Sequence, residues 1–408
     1  MSELLDCDEF MSELRNDDEP TWAMYLFISL YRLNADRINQ LLNYIVVKPT
    51  KNDNKDRAFK YPFYASQIFQ LDIKPIIETL FIKEGFDLTS TGSAQSIEGK
   101  DSNLILEDAV LTPRAEDKKS KLLEKLFSFV GTKDELNPML AGYFFKIFSG
   151  ISSVCKNDLL EYLFQFNNHI DNMIKHVHNR SISATLQLIL GYTRNDQFKE
   201  EKKKVIEKLV ERLESVDKEE AAMNISWILG KVIAEKEHLE YLMSKETVEK
   251  LFKSVYKNTS LCLKGVLNII VNITKNLPQP NVENSDSQTP NQIPDMKPVL
   301  QQSIKFLPTA KKLLEDKNKA INVYTTYGND LNGLGIDKLY IIEWLQALIA
   351  MKDDMVIREV KQLKIAELLL SLMKRHYMNS ILHLKVLKIF EGAIESKIPS
   401  YVKAVSTR

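Results

Sequence analysis

Between Leu122 and Leu190, apolar residues recur at helical spacing in one segment after another, with only short polar joints, and no other feature restricts the fold as much. Leu122, Leu123, Leu126, Phe127 and Val130 make a first stripe. Met139, Leu140, Tyr143, Phe144, Ile147, Phe148 and Ile151 make the second and strongest. Its start is written chemically: Asn137 can accept a hydrogen bond from an unpaired first-turn N–H, and Pro138 fits the first helical position, where no N–H is needed. Leu159, Leu160, Leu163 and Phe164 form a third stripe, Ile170, Met173, Ile174 and Val177 a fourth, and Ile182, Leu186, Ile189 and Leu190 begin a fifth. Such helices cannot bury their apolar sides alone and must pack on their neighbours, as helical hairpins do in bundles and solenoids. The expected fold is all-α: an α-solenoid of stacked helical hairpins, HEAT- or armadillo-like.

A chain of 408 residues is too long for one compact bundle, and no break isolates two ordinary domains, so residues 1–408 are expected to form a single elongated domain. The low glycine and proline content argues against strands. Residues 2–20 form an acidic amphipathic segment, read as a capping helix, and helices are expected over 21–31 and 36–46. Pro62 and Pro75 each mark a first turn, with Asp72 as the cap of the second of these helices. Residues 84–118 lose the apolar rhythm and read as a mobile loop; residues 276–298, rich in proline, asparagine and serine, read as a disordered insertion. Thr112 and Thr289 are candidate phosphorylation sites, an ordinary loop threonine being the plainer reading of Thr112. The lysines of the charged helix over 199–214 are expected in solvent. Leu339 to Met351, apolar nearly all round, should be a central buried helix.

Composition and motifs narrow the function. With 55 basic and 55 acidic residues there is no global electrostatic case for nucleic acid or anionic lipid. No apolar run approaches the roughly 18 residues of a membrane span. Three distant cysteines and an acidic start without a signal-peptide pattern suggest a soluble intracellular protein, cytoplasmic or also nuclear. Gly328, Gly333 and Gly335 lack the Lys-Ser or Lys-Thr of a phosphate loop. His176 and His178 would point about 200° apart on a helix, so no metal site is expected from them and His169. No cofactor, metal or catalytic signature emerges, and the chain is read as a non-enzyme. The Trp and Asn ladder of an armadillo-type import adaptor is also missing, since Trp22, Trp227 and Trp344 share no period. Periodicity alone implies a solenoid that binds an unnamed protein.

Several strings resemble the SAPS-domain family, the phosphatase-associated regulatory subunits of protein phosphatase 6 and its fungal counterpart. They are Glu3 to Leu14, Leu41 to Ile45, Phe59-Lys-Tyr-Pro-Phe-Tyr-Ala65, Leu122 to Ser149 with Leu136-Asn-Pro-Met-Leu-Ala-Gly-Tyr-Phe144 at its centre, Ile174 to Val177, and Leu334 to Leu339. They follow the family's order along nearly the whole chain. The carboxy-terminal block departs from it: where the family has Tyr-Pro-Trp-Asn-Asn-Phe-Leu-His, this chain reads His376-Tyr-Met-Asn-Ser-Ile-Leu-His383. The resemblance implies a noncatalytic subunit that binds the catalytic subunit of a phosphatase 6-like serine/threonine phosphatase, of the type-2A-like class, together with further scaffolding subunits. It points to Tyr61, Phe63, Asn137, Tyr143 and His176 as partner-binding positions, with core packing or helix capping the plainer reading of each. The alternative is a general helical adaptor, for example in trafficking, without a phosphatase partner.

Overall fold

The computed structural model describes residue 6 and residues 35–50, 53–71, 73–81, 120–166, 168–191, 197–236, 238–276, 295–316, 321–324 and 330–395. The chain divides into two compact units, residues 1–176 and 177–408. The expected segment over 84–118, most of 276–298, Thr112, Thr289, Asp72 and the helix over 21–31 lie outside the described residues.

In the first unit, α1 (Ala35–Val46) buries Ile38, Leu41, Leu42 and Ile45, one stripe at helical spacing. Its last carbonyls are capped from a distance. The Arg57 guanidinium donates to the carbonyls of Tyr44, Asn43 and Val47 at 3.2, 3.1 and 3.1 Å, a cation at the negative end of a helix dipole. A π-helical turn, Asp56–Lys60, runs directly into α2 (Tyr61–Ile68), where Pro62 sits in the first turn. In α3 (Lys74–Thr79) the N-cap position falls to Ile73, and Pro75 again lies in the first turn.

Ser120 caps α4 (Lys121–Ser128), accepting from the Leu123 N–H while its hydroxyl donates to the Leu80 carbonyl. Next come a 3-10 turn, Phe129–Gly131, then α5 (Pro138–Val154), α6 (Lys156–Gln165) and α7 (Asn168–Lys175). Their stripes meet in an aromatic core. Phe127, fully buried, lies edge-on to Phe144 and Phe148 and stacks on Tyr162 and His169.

The second unit is helical with one small exception. Asn179 caps α8 (Arg180–Leu190) by accepting from the N–H groups of Ser181 and Ile182. There follow α9 (Lys199–Leu213), α10 (Glu219–Ala234), α11 (Leu239–Met243), α12 (Lys245–Lys257), α13 (Thr259–Asn276) and α14 (Lys297–Glu315). Then an antiparallel ribbon pairs β1 (Ile321–Tyr324) with β2 (Asp330–Gly333), Ile321 opposite Gly333 and Tyr324 opposite Asp330. This corrects the expectation of no strands: four alternating residues, Ile-Asn-Val-Tyr, are too short to register as a period. Gly335, at a φ of +82° that favours glycine, turns the chain into α15 (Ile336–Ala350). The chain continues through α16 (Asp354–Gln362), α17 (Ile365–Arg375) and α18 (Ser380–Glu395).

These helices pack in two rows. In one, α8 lies on α10, α10 on α13, α13 on α15 and α15 on α18; in the other, α9 lies on α12, α12 on α14 and α14 on α16. The rows join through the pairs α9–α10, α12–α13 and α14–α15. As its all-round apolarity suggests, α15 is central: Ile341, Ile342, Trp344, Leu345, Leu348 and Ile349 are buried, and Phe306 meets Trp344 edge-on at 5.5 Å. One lysine of the charged helix differs from expectation. Lys202 is 2% exposed, and its ammonium donates to the Gly191 carbonyl at 2.6 Å, so the chain folds over it instead of leaving it in water.

Polar ties run across the first row. Lys264 of α13 pairs with Glu219 of α10 and with Asp337 of α15. Glu343 of α15 accepts from Lys275 of α13 and Lys385 of α18, both at 2.9 Å. Partial burial pulls the Glu343 carboxyl up, but the two lysine ammoniums outweigh it and hold the group below its ordinary value of 4.5. A carboxyl depressed by folding contributes stability above its unfolded value, and that stability is lost as pH falls through the folded one. The thermal midpoint of Glu343→Gln should therefore lie below that of the unaltered chain at neutral pH, with the gap closing as the pH drops below 4.5. A gap that does not change with pH would rule this out.

Candidate functional site

The most ligand-like surface of the first unit is built by α2 and α5. Tyr61 opens α2 with its ring 5.1 Å from Tyr44, and its hydroxyl donates to the Asp6 carboxylate at 3.1 Å. Lys60 reaches the same carboxylate at 3.8 Å. Two residues on from Tyr61, Phe63 turns outward and remains 36% exposed. Its ring meets Tyr143 of α5 edge-on at 6.4 Å, and the Lys146 ammonium lies 5.6 Å from the ring centre. Phe59, four residues before Phe63, is 59% exposed. Partial burial raises the Tyr143 phenol, so that ring stays neutral over the physiological range.

The two helices are held together at the other end of the contact by an absent side chain. A Cβ on Gly150 would come within 2.0 Å of the Phe69 carbonyl oxygen, so α5 approaches the end of α2 as only glycine allows. This close contact fixes Tyr143 against Phe63.

Of the five sequence-derived positions, the structure thus groups Tyr61, Phe63 and Tyr143. Asn137 and His176 make backbone contacts elsewhere in the same unit. Asn137 starts α5 by accepting from the Met139 and Leu140 N–H groups at 2.9 and 3.2 Å. His176 is 5% exposed and hydrogen-bonds through Nε2 to the Thr132 carbonyl at 2.9 Å, tying the end of α7 to the turn after α4. Phe59 and Lys146 were missed by sequence reasoning. Their signals were the four-residue step between Phe59 and Phe63 and the three-residue step from Tyr143 to Lys146, one helical turn in each case.

An exposed aromatic pair rimmed by lysines has the composition of a protein-docking spot: rigid apolar area at the centre and charge at the edge. Among the described residues no three histidine, cysteine, aspartate or glutamate side chains cluster to hold a metal. At the far end of α5, burial, aided by Asp158 and Glu78, pushes the Cys155 thiol up to about 11, so it is not a thiolate nucleophile at neutral pH. Among the described residues no single helix is long and apolar enough to cross a membrane.

The sequence profile described as SIT4 phosphatase-associated protein (SAPS) matches residues 154–367. Serine/threonine-protein phosphatase 6 regulatory subunit 3-A of Xenopus laevis is 20% identical over 417 residues, covering 95% of this chain and 43% of the relative. Regulatory subunit 3 of Gallus gallus is 19% identical, covering 95% of this chain and 42% of its own length. For human regulatory subunit 1 the figures are 19%, 90% and 41%. The chain spans less than half the length of the curated relatives it matches.

Proposed function

Because the chain belongs to the SIT4 phosphatase-associated protein (SAPS) family, we propose that it is a noncatalytic regulatory subunit that binds the catalytic subunit of a phosphatase 6-like serine/threonine phosphatase and directs it to substrates. A further scaffolding subunit would join the same assembly, which would act in the cytoplasm. Any metals of the reaction belong to the catalytic partner. The two-row packing of α8 to α18 supports reading that unit as a HEAT-like solenoid, a form that offers broad surface for a folded partner. A stable complex buries more than about 1,000 Å², which a helical surface supplies without a pocket.

The observation that carries this reading onto particular residues is the exposed Phe59 and Phe63 beside Tyr143 and Lys146. Central aromatic anchors cost about 2 kcal/mol or more when truncated. The Phe59→Ala/Phe63→Ala chain is therefore expected to bind a purified type-2A-like catalytic subunit at least about thirtyfold more weakly. Its thermal midpoint should fall by much less than that of a core truncation such as Phe127→Ala, because Phe59 is 59% exposed and Phe63 packs only at the surface. Equal affinity in a direct titration would remove this surface from the interface.

A further inference from the structure

The second unit carries a groove of about 460 Å³ along α8, α10 and α13, away from the aromatic surface in sequence, in which Met223, Trp227 and Ala234 give an apolar lining beside Arg180 and a set of side-chain amides. At one end the Arg180 guanidinium lies flat over Trp227, 3.5 Å from the ring centre. Its Nη1 donates to Asn224 Oδ1 at 3.3 Å. Asn224 is itself fixed, its amide nitrogen donating to the carbonyls of Val177 and His178, both at 2.9 Å. Arg180 is thus held in place by stacking and one hydrogen bond and forms no ion pair among the described residues; of the two carboxylates that share the adjoining cavity with it, Glu219 is paired with Lys264 and Glu220 stands at the surface.

Along the groove from Arg180 stand side-chain amides. Asn268 donates from its amide nitrogen to the Ser226 hydroxyl at 2.8 Å, which leaves its carbonyl oxygen unused. Asn272, one turn further on, and Gln187 on the facing helix are half-buried, with no side-chain hydrogen bond to the protein among the described residues. Gly230 keeps the channel open: a Cβ there would lie 3.0 Å from the Asn272 amide nitrogen. Among the described residues no carboxylate lines this groove, and its other cation, Lys231, is already paired with Glu235 at 3.3 Å.

An amide offers a donor and an acceptor on one group, the same pair that a peptide unit presents. Amides one helical turn apart stand about 6 Å from each other, near the two-residue repeat of about 6.8 Å in an extended chain. A phosphate-binding lining would instead present several unpaired cations, and a peptide uses both parts of this lining, its main chain meeting the amides and its side chains meeting Met223, Trp227 and Ala234. We propose that this groove binds a peptide segment in extended conformation, its main chain held by Asn268, Asn272 and Gln187 and an acidic side chain set against Arg180. The proposal stands on the groove alone and does not rest on the phosphatase reading.

Trp227 makes the test direct, because an acid drawn to Arg180 changes the surroundings of the indole. A short peptide alternating aspartate with alanine is expected to change tryptophan emission saturably, and Trp227→Phe should abolish the change. Arg180→Gln should weaken binding at least about tenfold, the loss expected for a hydrogen bond to a charged group. Asn272→Ala should weaken it severalfold without lowering the thermal midpoint, since the side-chain amide has no hydrogen bond among the described residues. No saturable change with the aspartate peptide, equal affinity for its lysine counterpart, full displacement by inorganic phosphate, or unaltered affinity in both variants would each overturn the proposal.

Discussion

Phe127→Ala is expected to destabilise the first unit by about 3–5 kcal/mol and to lower its thermal midpoint by about 10 °C. The side chain is fully buried and touches aromatic rings from three helices: Phe144 and Phe148 of α5, Tyr162 of α6 and His169 of α7. Truncation leaves a cavity that four rigid rings cannot collapse to fill, and it also forfeits the edge and stacking preferences of the aromatic pairs. Phe127→Leu keeps most of the volume and should cost less than half as much. Near-ultraviolet circular dichroism followed through thermal unfolding reads both. A loss of under about 1 kcal/mol for the alanine variant would mean that α4 does not anchor this core.

Gly150→Ala and Gly265→Ala should each cost about 2–3 kcal/mol, although alanine is the better helix former. The added Cβ at Gly150 would lie 2.0 Å from the Phe69 carbonyl oxygen, and at Gly265 it would lie 2.7 Å from the carbonyl oxygen of Ala222. In both cases the obstacle is backbone, which cannot rotate away, so the helices must separate and the surrounding packing loosens. Gly392→Ala is the contrasting case. Among the described residues nothing lies within 4 Å of a Cβ there, and the change should stabilise α18 by up to about 1 kcal/mol. Chemical denaturation of the three variants tests the pattern; equal effects at all three positions would contradict it. The Gly150 variant should also loosen the meeting of Phe63 with Tyr143, since the same helix contact sets both.

Much of the helical framework was legible because its causes are local. Asn137 and Pro138 announce the start of α5, and the residues of the stripes from Leu122 onward prove buried except Met139, Tyr143 and Phe164, which are partly exposed. In the carboxy-terminal block, the residues shared with the family's pattern are ones with local structural work. Asn379 accepts from the Leu382 N–H at the start of α18, Leu382 is fully buried, and His383 bonds to the Met373 carbonyl. The position at which the family carries tryptophan is Met378, 68% exposed.

What could not be read depends on partners distant in sequence. Arg57 capping α1, His176 reaching Thr132 and Phe63 meeting Tyr143 are pairings that no helical period encodes. The same holds for the groove. The spacing of the tryptophans along the chain does not reveal an arrangement in which Trp227 of α10 shares its channel with Asn268 and Asn272 of α13. The ribbon from Ile321 to Gly333 escaped because its strands are four residues each.

The most direct measurement is affinity purification of the tagged chain from its native cell at endogenous level, with quantitative mass spectrometry of what accompanies it. A regulatory subunit of this family should carry a phosphatase 6-like catalytic subunit in near-equal molar amount, and the complex, not the purified chain alone, should release phosphate from a phosphopeptide. Recovery of coat or transport proteins with no phosphatase catalytic subunit, or phosphate release by the chain by itself, would contradict the account.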